Sequence, residues 1–182
     1  MRTLAALTLA LALTGVVTAR AADVPLPGDH PPKVAGPPGD RTTDPAAPTP
    51  SIDLALKAAQ AIAAACKQYP MSLAVVDSEG VAKLIYVPDG SAAWHGYSAV
   101  RKAYTAITFK SDTSKVVKQA ATDPALMDQF KADHNLARRA GGLVLMAGGK
   151  VIGAIGVSGA EPGGHDEECG NIGRDKIKND LK

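Results

Sequence analysis

Aromatic side chains are scarce: two Phe, four Tyr and one Trp in 182 residues, 4% of the chain. That excludes an aromatic-rich platform for stacking the bases of a single nucleic-acid strand. An excess of one charge is also missing. The formal net charge is +2, from 20 basic and 18 acidic residues. Both surplus cations, Arg2 and Arg20, lie in the first 21 residues, which hold no Asp or Glu. Residues 22–182 therefore balance to zero. Such a chain has neither the basic field that holds a phosphate backbone nor the polybasic run of a membrane-surface protein. Nucleic acid is set aside as a partner. Long hydrophobic runs are missing too, apart from residues 4–17, which fall short of the roughly 20 needed to span a bilayer.

That run has another reading. Arg2 gives a short positive start, the apolar run has the length of an export-signal core, and Ala19-Arg20-Ala21 has a small-x-small cleavage pattern. Residues 1–21 are read as a signal peptide. The expectation is a periplasmic or secreted protein with no membrane attachment after cleavage. Residues 22–50 hold nine of the 13 prolines. Proline lacks the backbone donor and fixes its own φ, so this stretch reads as a disordered linker, with His30 a solvated residue in it. The folded domain is placed at residues 51–182, enough for one core.

Within that domain Ser51 can cap a helix reaching about Gln68, with Ile52, Leu56, Ala59, Ile62, Ala63 and Cys66 as its buried stripe. Tyr69-Pro70 ends it. Residues 71–77 and 81–87 read as strands joined through Ser78-Glu79-Gly80. A second helix spans about residues 92–109. Short helices follow around Thr122-Asp123-Pro124. Residues 143–147 and 151–157 form another hairpin across Gly148-Gly149-Lys150, and a last helix runs from near His165 toward Leu181. Two hairpins among helices predict an antiparallel sheet covered by helices, an α+β domain.

Several segments have the residue types of active sites. Gly156-Val157-Ser158-Gly159-Ala160 resembles a nucleophile elbow. However, Ser158 follows a hairpin strand, and the only later histidine is His165, so a glycine-rich turn is the better reading. The glycines from Gly153 to Gly164 match no phosphate-cradle pattern. His165 and Cys169 share a helix face at i and i+4, as two ligands of a zinc or copper site would, but two further ligands are not evident. The acids between them suit a helix N-terminus. Cys66 and Cys169 are candidates for a disulfide in an oxidising compartment. Otherwise Cys66 is a packed small hydrophobe or a thiolate ligand. His134 reads as solvated. His95 is the titratable residue of most interest, because it opens the second helix among Trp94, Tyr97, Arg101 and Tyr104. Imidazole ligates haem iron. Flat side chains suit a porphyrin face, and Arg101 or Lys102 could meet propionates.

Three segments carry a resemblance to a known family. The first is Leu73-Ala74-Val75-Val76-Asp77-Ser78-Glu79-Gly80 with Asp89-Gly90. The second is Lys102-Ala103-Tyr104-Thr105-Ala106 with Phe109 and Thr113. The third is Gly141-Gly142, then Gly153-Ala154-Ile155-Gly156-Val157-Ser158-Gly159, with Asp166 beyond. In this order and spacing they resemble the GlcG/HbpS family of haem-binding proteins, also seen as the C-terminal domain of PduO-type adenosyltransferases. The resemblance implies a profilin- or PAS-like fold, with an antiparallel sheet of about five strands flanked by helices. It also implies a homo-oligomer and a haem or related tetrapyrrole, here a non-covalent haem of the b type (heme b). It supplies no axial ligand, so His95 as iron ligand rests on the residues alone. So do Trp94, Tyr97 and Tyr104 as ring contacts and Arg101 or Lys102 as propionate partners.

The expected function is haem sequestration, transfer or sensing outside the cytoplasm. Two alternatives are a haem-degrading enzyme of the same family, for which no dedicated acid–base pair is visible, and an oligomerising module without cofactor. In the last case the motif residues would specify only the fold.

Overall fold

The computed structural model describes residues 47–161 and 164–182. The expected signal peptide and nearly all of the proline-rich linker lie outside the described residues. Helix α1 (Ile52–Ala65) begins where Ser51 Oγ accepts the Leu54 N–H at 3.2 Å. Its buried face is Ala55, Ala58, Ala59 and Ile62, while Ile52 and Leu56 remain 46% and 42% exposed. The predicted stripe was therefore rotated. The reason is the partner helix α5 (Asp166–Ile177), whose Gly173 lies against Ile62 and the Ala58 carbonyl. Alanines rather than leucine let the two axes come this close. Cys66 and Cys169 form a disulfide that joins these helices, with Cα atoms 6.1 Å apart and a sequence separation of 103.

Strands β1 (Ser72–Asp77), β2 (Ala82–Tyr86), β3 (Gly142–Ala147) and β4 (Lys150–Ser158) form one antiparallel sheet in the order β2-β1-β4-β3. The sheet has four strands where about five were expected, because the two hairpins supply all of them. Asp77 Oδ1 closes the first hairpin by accepting the N–H groups of Glu79 and Val81, each at 2.9 Å. One face, with Leu73, Val75, Leu145, Ile155 and Val157, packs on α1 and α5 to form the main core.

The other face is built from small residues and carries α2 (Ala93–Phe109). Ala74, Val76 and Ala154 meet Ala99, Ala103 and Ala106. A side chain at Gly156 would run into the Ala99 carbonyl and the Ala103 N–H. The α2 backbone therefore rests almost directly on β4. Beyond its C-terminal half, α3 (Thr113–Ala120) and α4 (Pro124–Ala132) enclose a second core of Val116, Ala120, Leu126, Phe130 and Leu136. Of the two residues able to cap α4 from the sequence, Thr122 and Asp123, it is Asp123 that accepts the Leu126 N–H, at 3.1 Å.

The two sheet edges differ. On β3 the Gly142 N–H is taken by Thr113 Oγ1 at 2.9 Å and the Val144 N–H by Asp112 Oδ1 at 3.0 Å. Arg174 in turn holds Asp112 through both carboxylate oxygens. Strand β2 is exposed along nearly its whole length. No helix among the described residues is long and apolar enough to cross a membrane.

Candidate functional site

Two rows of α2 side chains decide where the predicted site residues fall. Trp94, Tyr97, Arg101 and Tyr104 follow one another at three- and four-residue steps and share one stripe. His95 and Lys102, seven apart, share another, which looks toward the end of β4.

Lys102 is the clearest departure from expectation. It is 2% exposed and donates to Asp166 Oδ2 at 2.5 Å and to the Val157 carbonyl at 2.9 Å. The other Asp166 oxygen accepts the Ala160 N–H at 2.8 Å. Burial pulls the Lys102 ammonium below its ordinary pKa, and the Asp166 carboxylate opposes that pull. With its ammonium committed inside the fold, Lys102 is not available to a propionate. Thr105 and Thr113 are structural in the same way. Thr105 Oγ1 donates to the Arg101 carbonyl and accepts the Ala137 N–H, each at 2.8 Å. The motif that carries the resemblance is a polar lock between α2, the sheet and α5.

Arg101 is also tied down. Its Nη2 donates to the Leu136 carbonyl at 3.0 Å, and its Nε is buried without a partner. Desolvation lowers its pKa, partly offset by Asp133. Tyr104 lies about 13 Å along the helix from His95, packed beside the second core and over Gly80. Neither side chain joins the N-terminal group.

The fold does bring His95 and Trp94 together, with Tyr97 three residues on from Trp94 along its stripe of α2. Trp94 is 57% and Tyr97 40% exposed. The His95 ring meets the Trp94 ring edge-on, with centroids 4.2 Å apart. Its Nδ1 lies 3.2 Å from the Pro70 carbonyl and 3.4 Å from Ser91 Oγ. Gly159, at φ +102°, forms the floor beneath the ring, and a Cβ there would strike Nδ1. Ile85 and Tyr86 of the bare β2 edge, and Val87 just after it, are also exposed. Val87 and Ile85 lie against Gly96 of α2, so an apolar surface continues from the strand to Trp94 and Tyr97. A shallow cleft of about 340 Å³ adjoins it, lined by Lys67, Tyr69, Pro70, Tyr86 and Asp89 among others.

Sequence reasoning missed Pro70, Ser91, Gly159 and the β2 side chains. The continuous apolar run of residues 84–87 points by pattern to a buried strand, so the exposure of Ile85, Tyr86 and Val87 had no signal in the sequence.

The remaining candidates resolve plainly. Ser158 is 2% exposed and paired with Ser72 inside the sheet, so it is no elbow. Cys169 is bonded to Cys66, which overturns the thiolate-ligand readings of both. His165 stacks on Tyr69 and bonds Glu168 at 2.7 Å. His134 is exposed.

The N-terminal end of α2 fits a flat, mostly apolar ligand with a metal at its centre. It offers an imidazole steadied through one nitrogen by a carbonyl, as metal-ligating histidines commonly are, beside the exposed Trp94 ring. Fold and site together define a small α+β domain with one exposed aromatic–histidine surface. The chain belongs to the HbpS-like family: the family described as "Haem degrading protein HbpS-like" matches residues 51–174. A double mutant of Streptomyces reticuli HbpS is 31% identical over 77% of this chain and 93% of its own, with TM-score 0.64. Klebsiella pneumoniae protein ORFY is 22% identical over 74% and 94%, with TM-score 0.67. A PduOC:heme complex is 20% identical over 71% and 95%, with TM-score 0.65. The last two likenesses concern the fold. No curated protein matches.

Proposed function

We propose that this protein is exported and binds haem non-covalently at the amino end of α2, in haem sequestration, transfer or sensing. The observation that carries the reading is His95, held at Nδ1 by the Pro70 carbonyl, with the exposed Trp94 ring edge-on beside it. His95 would ligate iron, and Trp94, with Tyr97 further along its stripe, would cover part of the ring. Ile85 of β2 and Val87 just after that strand would shield it from water. Haem bound there would supply an iron centre able to change ligand and oxidation state. Membership of the HbpS-like family and the haem named in the PduOC structure support the choice of ligand. The disulfide supports export, since such bonds persist in oxidising compartments. Assembly of several copies would cover the aromatic surface further, and solution mass with and without haemin tests it.

Titration of the cleaved protein with haemin, followed by absorbance, tests the reading. A shifted Soret band is expected, and its position and intensity should change in His95→Ala. No shift in the parent sinks haem binding; an unaltered spectrum in the variant sinks only the ligand assignment. The family's description favours a second reading, haem degradation. Loss of the Soret band with release of iron, on adding reductant in air with catalase present, would support that reading over simple binding.

A further inference from the structure

We propose that Ser91 is a positioning residue for His95: with the Pro70 carbonyl it holds the imidazole with its proton on Nδ1 and its lone pair on Nε2. The inference rests on the haem reading only for its functional consequence. The geometry stands without it.

The direction of each hydrogen bond follows from what each group can do. The Pro70 carbonyl can only accept, so at 3.2 Å its bond to His95 requires the proton on Nδ1. Ser91 Oγ, 3.4 Å from the same nitrogen, is then a second acceptor. Ser91 Oγ also lies 2.8 Å from Ser72 Oγ, and either hydroxyl can donate in that bond. A continuous chain of polar groups links His95, Ser91 and Ser72. Ser72 is fully buried on β1, so the chain ends on the sheet. Ser91 is itself fixed by its N–H on the Pro88 carbonyl at 3.1 Å. Gly159 below and the Trp94 edge beside the ring complete the seat.

A histidine without such partners favours its proton on Nε2. Here the seat selects the opposite form and leaves Nε2 as the nitrogen with a lone pair for iron. A ring held in this way before binding loses little freedom when it ligates.

Long-range ¹H–¹⁵N NMR of the ligand-free protein at about pH 8, above the usual imidazole range near 6.5, reads the tautomer directly. The parent is expected to show Nδ1 protonated, Ser91→Ala a mixture of forms, and Ser91→Thr the parent pattern. In haemin titrations Ser91→Ala should bind roughly two- to tenfold more weakly, the effect of one modest hydrogen bond, while Ser91→Thr restores binding. A parent ring protonated on Nε2 overturns the proposal, as does a Ser91→Ala protein that matches the parent in both readouts. A parent that shows the Nδ1 form but takes up no haemin supports the positioning and sinks the haem reading. Should Ser91→Ala lose its native circular dichroism, the parent still decides: an Nδ1-protonated ring supports the proposal and an Nε2-protonated ring overturns it.

Discussion

At its carboxyl half α2 presents Lys102 and Thr105 to buried partners on the sheet, α5 and the segment before β3. At its amino end, on the same helix, it presents Trp94 and Tyr97 to solvent. In the first region the polar groups of Lys102, Thr105 and Thr113 all have buried partners, and Arg101 Nε alone has none there. The second has a histidine seated on a carbonyl, two half-bare rings and an open strand edge. The residues that carry the family resemblance belong to the first region, where they fix geometry. Those suited to ligand belong to the second, where the motif contributes Gly159 beneath His95 and Asp89 in the adjoining cleft. Motif and ligand site are therefore separable, and a member could keep one while changing the other.

Experiments that damage the locked region should show up in stability. Replacing Cys66 and Cys169 by Ala should have the largest effect, about 4–5 kcal/mol in the chain-entropy model for a loop of this length. Denaturant midpoints of the oxidised parent and the double variant measure it. Next comes Lys102→Met, which strands the Asp166 carboxylate inside the protein and should lose about 3–5 kcal/mol. Adding Asp166→Leu to that variant should recover part of the loss by removing the stranded charge. Recovery will be incomplete, because the Ala160 N–H loses its acceptor. A smaller loss, about 1–3 kcal/mol, is expected for Thr113→Val, which leaves the buried Gly142 N–H unpaired. At the open end the pattern should reverse. Trp94→Ser should change stability by no more than about 0.5 kcal/mol yet weaken haemin uptake. A Trp94 variant that unfolds readily, or a Lys102 variant that does not, would erase the contrast between the two ends.

Much of the fold was legible because its signals are local. Ser51 and Asp123 cap their helices as their side chains predict, and two hairpins give an antiparallel sheet. What failed depends on which neighbour a face meets. Of the expected α1 stripe, Ala59, Ile62 and Cys66 are buried, but Ile52 and Leu56 are not, because a helix pressed against Gly173 buries Ala55 and Ala58 in their place. In α2, Arg101 and Lys102 read as adjacent cations near His95. Periodicity separates their rows but does not say which row faces a buried carboxylate 64 residues away. The site was legible only in its aromatic and histidine members. Pro70 acts through its backbone carbonyl, and Ser91 through a contact made by a loop, so neither leaves a mark in composition or spacing.

The Cys66–Cys169 bond encloses every strand together with α2, α3 and α4. That closure has a practical result for proteolysis. A single cut at an exposed turn such as Gly148-Gly149 would leave both fragments covalently tethered through the helix pair, and the nicked molecule would come apart only after thiol treatment.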